Sequence, residues 1–244
     1  MKYILILIVV TMVGFMGVAL TVAAQTPSTP SIDLVWEADT YVPAGYEGRA
    51  LPTASTNVTV MAIAHQGSGQ IVNNYDFRWE KDGKQIISAS GVGANILHFK
   101  AGTPGVGHHI TLALHDPSGK RIVSQSTNII VRDPKVVFYK EESWGVDHSR
   151  AITNNLPLTQ PETKLVAEPF YFLNTAITNR GLGYDWRLNG ASVEANTENP
   201  RHFSLLLPDP LPEAAQATLE LRLVNLSETL QKASHSILAT YGQN

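Results

Sequence analysis

The stretch Tyr75–Lys84, YDFRWEKDGK, returns in shortened form at Tyr184–Ala191, YDWRLNGA. Aligned on their turns, the two share one frame: Phe77-x-Trp79-x-x-Asp82-Gly83 and Tyr184-x-Trp186-x-x-Asn189-Gly190. Successive side chains of a strand alternate, so Phe77 and Trp79 share one face, as do Tyr184 and Trp186. The Asx-Gly pair three residues on tolerates the positive φ angles of a tight hairpin turn. A chain with this frame twice is expected to hold two β modules, each with its own indole filling the space between sheets. Trp79, Trp186, Phe77 and Tyr184 are the expected structural core.

Other blocks repeat around that frame. Leu34-Val-Trp36 matches Val137-Phe-Tyr139 at an offset of 103 residues, and Val60-Met-Ala62 matches Leu165-Val-Ala167 at 105. Thr111–Leu114 matches Thr218–Leu221 at 107, and Ser126–Ile130 matches Ser234–Leu238 at 108. Insertions that fall between blocks are what strands joined by variable loops give. Asn57–Ala64, Asn95–Phe99, His109–Leu114 and Thr127–Val131 are short alternating runs rich in branched residues, bounded by turn formers. Only Pro212–Ala217 hints at a helical turn. Arg132-Asp133-Pro134 breaks the chain, because proline does not continue a central strand. The expected fold class is all-β: two tandem β-sandwiches, residues 32–132 and 134–241, after a Pro/Ser/Thr linker at 25–31 and an N-terminal hydrophobic helix.

That helix is expected because Tyr3–Ala24 contains no charge and follows Lys2. Two readings fit residues 1–24. As a signal peptide, Val22-Ala23-Ala24 offers small residues for cleavage before Gln25. As a signal anchor, about 20 apolar residues span a bilayer, with Lys2 on the cytoplasmic side. Both put residues 25 onward outside the cytoplasm, in the cell envelope or at the cell surface. The chain has no cysteine, so its core must hold it without disulfides, and thiolate metal sites are excluded. A net charge of -3 supplies no basic field for a phosphate backbone, which argues against nucleic acid as a partner.

At the repeated aromatic-x-Trp-x-x-Asx-Gly frame the chain resembles the tandem immunoglobulin-like and PKD-like domains of bacterial surface proteins, over roughly residues 31–241. The resemblance implies immunoglobulin-like sandwiches, without the two cysteines that flank the tryptophan in antibody domains. Ala62 and Leu112 are the places it implies for them in the first module. Two such domains behind an exported N-terminus are similar to small envelope proteins that accompany pilus or secretion apparatus. A fold of this kind hosts many functions, so function has to come from the residues.

Those residues offer little chemistry. His108, His109 and His115 form the densest histidine group, but strand neighbours diverge, and six residues separate His109 from His115 by about 20 Å. They are expected as surface side chains. Glu37, Asp39, Glu141, Glu142 and Asp147 lack calcium-loop spacing and suit a solvated acidic face. No Gly-x-Ser-x-Gly elbow occurs, and Gly91-Val-Gly93 leads into a strand, not into the helix that would hold a phosphate. No catalytic residue, cofactor or metal is therefore expected, and the protein is expected not to be an enzyme. Leu34 and Trp36 alternate as core residues would, whereas Tyr46, among glycines in Pro43–Gly48, suits a loop surface. Tyr46, Tyr41 and Trp144 are the candidate ligand surface. The expected partner is an envelope or surface protein, with the membrane added through residues 3–24 if that segment is retained. A small-molecule ligand is not expected. The alternative is a glycan- or peptide-binding module that uses the loop aromatics.

Overall fold

The computed structural model describes residues 29–242, apart from residues 68, 195 and 211. The expected hydrophobic helix at residues 3–24 lies outside the described residues. Among the described residues, no helix is long and apolar enough to cross a membrane.

The first body contains β1 (Ser31–Ala38), β2 (Asn57–Gln66), β3 (Gln70–Ile71), β4 (Asp76–Lys81), β5 (Lys84–Gln85), β6 (Gly91–Val92), β7 (Ile96–Lys100), β8 (Gly107–His115) and β9 (Arg121–Ile130). The second contains β10 (Lys135–Glu142), β11 (Gly145–Val146), β12 (Asn155–Pro157), β13 (Glu162–Phe170), the short helix α1 (Asn174–Thr178), β14 (Leu182–Leu188), β15 (Ala191–Val193), β16 (His202–Leu206), β17 (Ala215–Asn225) and β18 (Lys232–Tyr241). Each body is a sandwich. In the first, β2 is flanked by β1 and by β3 and β7, and this sheet faces β5–β4–β8–β9, with β6 also on β4. In the second, β11–β10–β13–β16 faces β12–β18–β17–β14–β15.

One hydrophobic core fills each sandwich, because alternate residues of both sheets point inward. Val58, Val60, Ala62 and Ala64 meet Phe77, Trp79, Ile110 and Leu112 in the first. Phe138, Leu165 and Ala167 meet Trp186, Leu219, Leu221 and Ile237 in the second. Trp79 and Trp186 are 0% and 1% exposed, and each buried indole N–H finds a carbonyl downstream: Ala94 O at 2.8 Å and Pro200 O at 3.0 Å. Burying that polar atom without a partner would be costly, so the loop after each hairpin is part of the plug. Phe77 is fully buried, whereas Tyr184 is only half-buried, and burial pushes its hydroxyl up to about 12.

The two turns also repeat in atomic detail. Asp82 and Gly83 have φ of 53° and 76°, and Asn189 and Gly190 have 51° and 83°. Asp82 N–H donates to His109 O at 2.8 Å and its Oδ1 accepts from His109 N–H at 2.8 Å. Asn189 does the same with Thr218, at 2.8 and 2.9 Å. Each Asx side chain thus clamps its hairpin to the next strand.

Several expectations from sequence need correction. Trp79 pairs with Leu112 and Trp186 with Leu221, so β8 and β17 correspond at an offset of 109 rather than 107, while the tryptophans stay at 107. A slip of two residues keeps every side chain on its face, so alternation cannot detect it. Leu34 pairs with Ala62 and Phe138 with Ala167, so Phe138 corresponds to Leu34, and Tyr139 points away from the core. Pro212–Ala217 runs into β17, and the short helix lies at Asn174–Thr178 instead. His108 is not a surface side chain. It is 7% exposed, accepts from Gly102 N–H through Nε2 at 3.3 Å, and turns Nδ1 to Asp82 Oδ2 at 3.1 Å.

Candidate functional site: the seam between the sandwiches

Of residues 39–56, which join β1 to β2, residues 40–51 lie against the outer face of β10 and β13, and residues 52–56 bond back to the first sandwich through Arg132 and Ala101. Tyr41 N–H donates to Phe172 O at 2.8 Å, and Tyr171 N–H donates to Tyr41 O at 2.7 Å, so the two bodies share backbone hydrogen bonds. Tyr139, Phe170 and Tyr171, outward-facing residues of the second sandwich, are buried here with Val42, Leu51, Val137 and Val146 packed around them.

A buried carboxylate anchors this contact. Glu168 is 5% exposed and points outward from β13. Arg201 Nη2 donates to its Oε2, and Tyr41 OH donates to the same oxygen at 3.0 Å. His148 Nε2 lies 3.3 Å from Oε1, and Arg201 Nη2 also reaches Tyr41 OH at 3.1 Å. A charge this deep needs such a set of partners. Burial, and after it the Glu168 charge, pushes the Tyr41 hydroxyl above its ordinary range. Burial works against the Arg201 charge, and Glu168, the Tyr41 hydrogen bond and the nearby tyrosines together more than offset it, so the guanidinium is held above its usual value.

A second clamp is neutral. Gln231, 0% exposed in the β17–β18 turn, donates through Nε2 to Ala54 O of the first sandwich at 2.7 Å. Its Oε1 accepts from Leu173 N–H at 3.1 Å and from Asn225 Nδ2 at 2.9 Å. Asn174 Nδ2 adds a bond to Asp39 Oδ1 at 2.8 Å.

Between the clamps and solvent lies a cavity of about 400 Å³, lined by Pro43–Gly48 on one side and by Tyr139, His148, Ser149 and Phe170 on the other. Tyr46 OH is 3.0 Å from Tyr171 OH, and its ring meets Phe170 edge-on at 5.2 Å. Gly48 makes this possible, since a Cβ there would overlap the Tyr46 ring. Lys135 Nζ sits 5.0 Å from the Phe170 ring centre, within cation–π range. A larger, more open groove of about 760 Å³ runs over Gly183 on the outer face of β14, β17 and β18, between Asp185, Arg222 and Lys232. Its floor is apolar, with Tyr184, Leu223, Val224 and Ala233, and charged side chains stand around it.

Of the three candidate ligand-surface residues, Tyr41 is engaged within the seam, and Tyr46 walls the cavity at 38% exposure. Trp144 stands apart in the β10–β11 turn, 70% exposed. Glu168, Arg201, Gln231, His148 and Phe170 were not singled out from sequence. One signal was available for Glu168 and Phe170: Leu165–Phe172, LVAEPFYF, is apolar on both faces except at Glu168, as a strand covered on both sides would be. Among the described residues, no group of His, Asp and Glu side chains has the arrangement to hold a metal ion.

The chain matches no protein-family model and no curated protein. Solved structures similar to it include tandem modules. The fibronectin(III)-like modules of Clostridium thermocellum CbhA share 10% identity over 85% of this chain and 95% of theirs, with a TM-score of 0.28. The chicken CNTN1 FN1–FN3 domains share 10% over 89% of this chain and 66% of theirs, at 0.30. The Ig1–Ig3 ectodomain of mouse nectin-like molecule 4 shares 12% over 88% and 63%, at 0.25. The similarity is thus to fibronectin III-like and immunoglobulin-like arrays, and at these TM-scores it carries no argument about function.

Proposed function

We propose that this is a non-enzymatic, exported protein of the cell envelope or cell surface. Its two immunoglobulin-like sandwiches present surfaces to a protein partner, in adhesion or in assembly of a surface structure of pilus or secretion type. The observation that carries this reading is the double clamp of the seam. Glu168 and Gln231 fix the sandwiches in one arrangement, which suits a spacer or scaffold that must hold surfaces at a set distance and angle. Trp144, exposed on a hairpin tip, is the kind of aromatic that anchors protein interfaces. Export rests on the uncharged run Tyr3–Ala24. The test is photocrosslinking in intact cells from position 144, followed by identification of what is attached. An envelope or surface protein is the expected product; no attached protein, with a purified chain that binds glycans instead, rejects this reading. N-terminal sequencing of the mature chain decides the export route, since a start at Gln25 means release and an intact terminus in the membrane fraction means tethering.

A second reading is favoured by the seam cavity, in which Tyr46, Tyr139 and Phe170 surround a space within the roughly 300–1,000 Å³ common for ligand pockets. A glycan or a short peptide stacked on these rings would make the protein a binding module. Binding on a glycan or peptide array that Tyr46→Ala abolishes supports it, and arrays that stay blank with the unaltered protein remove it.

A further inference from the structure

β9 is paired along one side only. β8 holds it in register from Gly107–Ile130 to His115–Arg121, and no other described strand takes up its second row of backbone groups. Open edges are templates for another chain, and proteins usually blunt them with charge, proline, shortness or irregularity. The other edges of these sheets are treated that way. β7 and β16 have five residues each, β1 carries Asp33 and Glu37, and β18 is covered over Leu238–Thr240 by parallel β12. β9 has one irregularity, a bulge that leaves Ile122 unpaired, and after it Val123–Ile130 contains no charge and no proline.

We infer that β9 pairs antiparallel with β9 of a second copy, across a two-fold axis at Ser126, joining two β5–β4–β8–β9 sheets into one. The strand is self-complementary about that residue. Ser126 meets Ser126 of its symmetry mate, Gln125 meets Thr127, Ser124 meets Asn128, and Val123 meets Ile129. Each pair lies on one face: Val123, Gln125, Thr127 and Ile129 on the side of the core, and Ser124, Ser126 and Asn128 on the side of solvent. An axis between residues would set core-facing against solvent-facing side chains, which the fully buried Ile129 forbids. An axis at Gln125 would oppose Arg121 to Ile129, and one at Thr127 would oppose Gln125 to Ile129. Among these registers, only the axis at Ser126 matches apolar with apolar and polar with polar. The contact is isologous and closed, as in most homodimers. It is also small, so the dimer is concentration-dependent.

The chain has no cysteine, which makes the test direct. Opposed side chains of an antiparallel pair have Cβ atoms about 4.5–5.5 Å apart, close to disulfide reach. Mild oxidation of Ser126→Cys should therefore give a covalent dimer, and Ser118→Cys, exposed in the turn before β9, should not. In sedimentation experiments the unaltered protein should dimerise, and Ser126→Lys, which sets like charges face to face, should weaken the dimer by roughly fivefold or more. Its circular dichroism should not change. The inference is overturned if Ser126→Cys links no faster than Ser118→Cys, or if a dimer forms that is indifferent to Ser126→Lys. Crosslinking of Ser126→Cys in cells only to a different protein would assign the edge to that partner and also overturn it.

Discussion

In the second sandwich, the segment between β11 and β13 returns to its own body: β12 runs parallel to β18 and covers its edge at Leu238–Thr240. In the first, the segment in the same place crosses to the neighbour. Residues 39–56 put Thr40 opposite Leu173, place Tyr41 on Glu168 and Tyr46 on Phe170, and leave β9 open. Both bodies keep the same buried tryptophan, the same Asx-Gly clamp and the same facing sheets. One rerouted loop therefore separates a self-contained module from one that grips its neighbour. It also ties the seam to the open edge, because that segment reaches the β9 side only at Pro52, whose carbonyl accepts from Arg132 N–H just past the strand.

The largest effect should fall on what the sandwiches share. Trp79→Ala and Trp186→Ala should each cost about 3–5 kcal/mol, the range for emptying a packed indole site. Because both rings are fully buried and hydrogen-bonded, the two losses should agree within about 1–2 kcal/mol, inside the spread that context gives to such sites. Urea unfolding followed by far-ultraviolet circular dichroism gives both values. One variant close to wild type beside one unfolded would break the equivalence of the two cores.

Next come the features that differ. Glu168→Ala leaves Arg201 and Tyr41 without their acceptor, and loss of one partner of a buried pair costs about 3–5 kcal/mol. The lower end is expected, because the Arg201 side chain keeps 25% exposure and can turn to water. The diagnostic is the shape of the curve: one cooperative transition in the unaltered protein should separate into two as the sandwiches uncouple. Gln231→Ala should do the same more weakly, at roughly 1–3 kcal/mol, since it strands the Leu173 N–H and the Ala54 carbonyl. A single unchanged transition in both variants would mean that the sandwiches are held together elsewhere.

The sandwich cores were legible because their signals are local. An indole two residues from another aromatic, followed by Asx-Gly, specifies a strand, its face and its turn within seven residues. The seam was not legible, because it depends on where an 18-residue loop travels. Tyr41 and Tyr46 drew attention as aromatics, but nothing near them in sequence names Glu168 or Gln231, more than 100 residues away. The register of β10 shows the limit of periodicity. Val136-Val137-Phe138-Tyr139 is apolar at every position, so alternation cannot say which residues face the core, and matching Tyr139 to Trp36 sets it on the wrong side. Such a run means that both faces are covered, and here the outer cover is the other sandwich.

The smallest effect concerns Asp82 against Asn189, which make the same turn with and without a charge. Its hydrogen bond to Lys81 is the chief reason that the Asp82 carboxyl is held well below the ordinary carboxylate range; partial burial opposes this, and the bonds from His108 and His109 add to it. A depressed folded pKa contributes stability that is fully present above the unfolded value, about 3.9, and is lost as pH falls through the folded one. Asp82→Asn keeps the acceptor for His109 N–H, as Asn189 keeps it for Thr218, and gives up the charge with the Oδ2 acceptor that meets Lys81 Nζ and His108 Nδ1. The Asp82 side chain is 42% exposed, so the difference at neutral pH should stay below about 1 kcal/mol. That gap should narrow as pH drops below about 4, because the unfolded chain then takes up a proton that folded Asp82 still resists. Unfolding curves of both proteins between neutral pH and pH about 2 would show the two stabilities converging on the acid side. A gap that stays constant or widens there would mean that the two hairpins do not differ by charge alone.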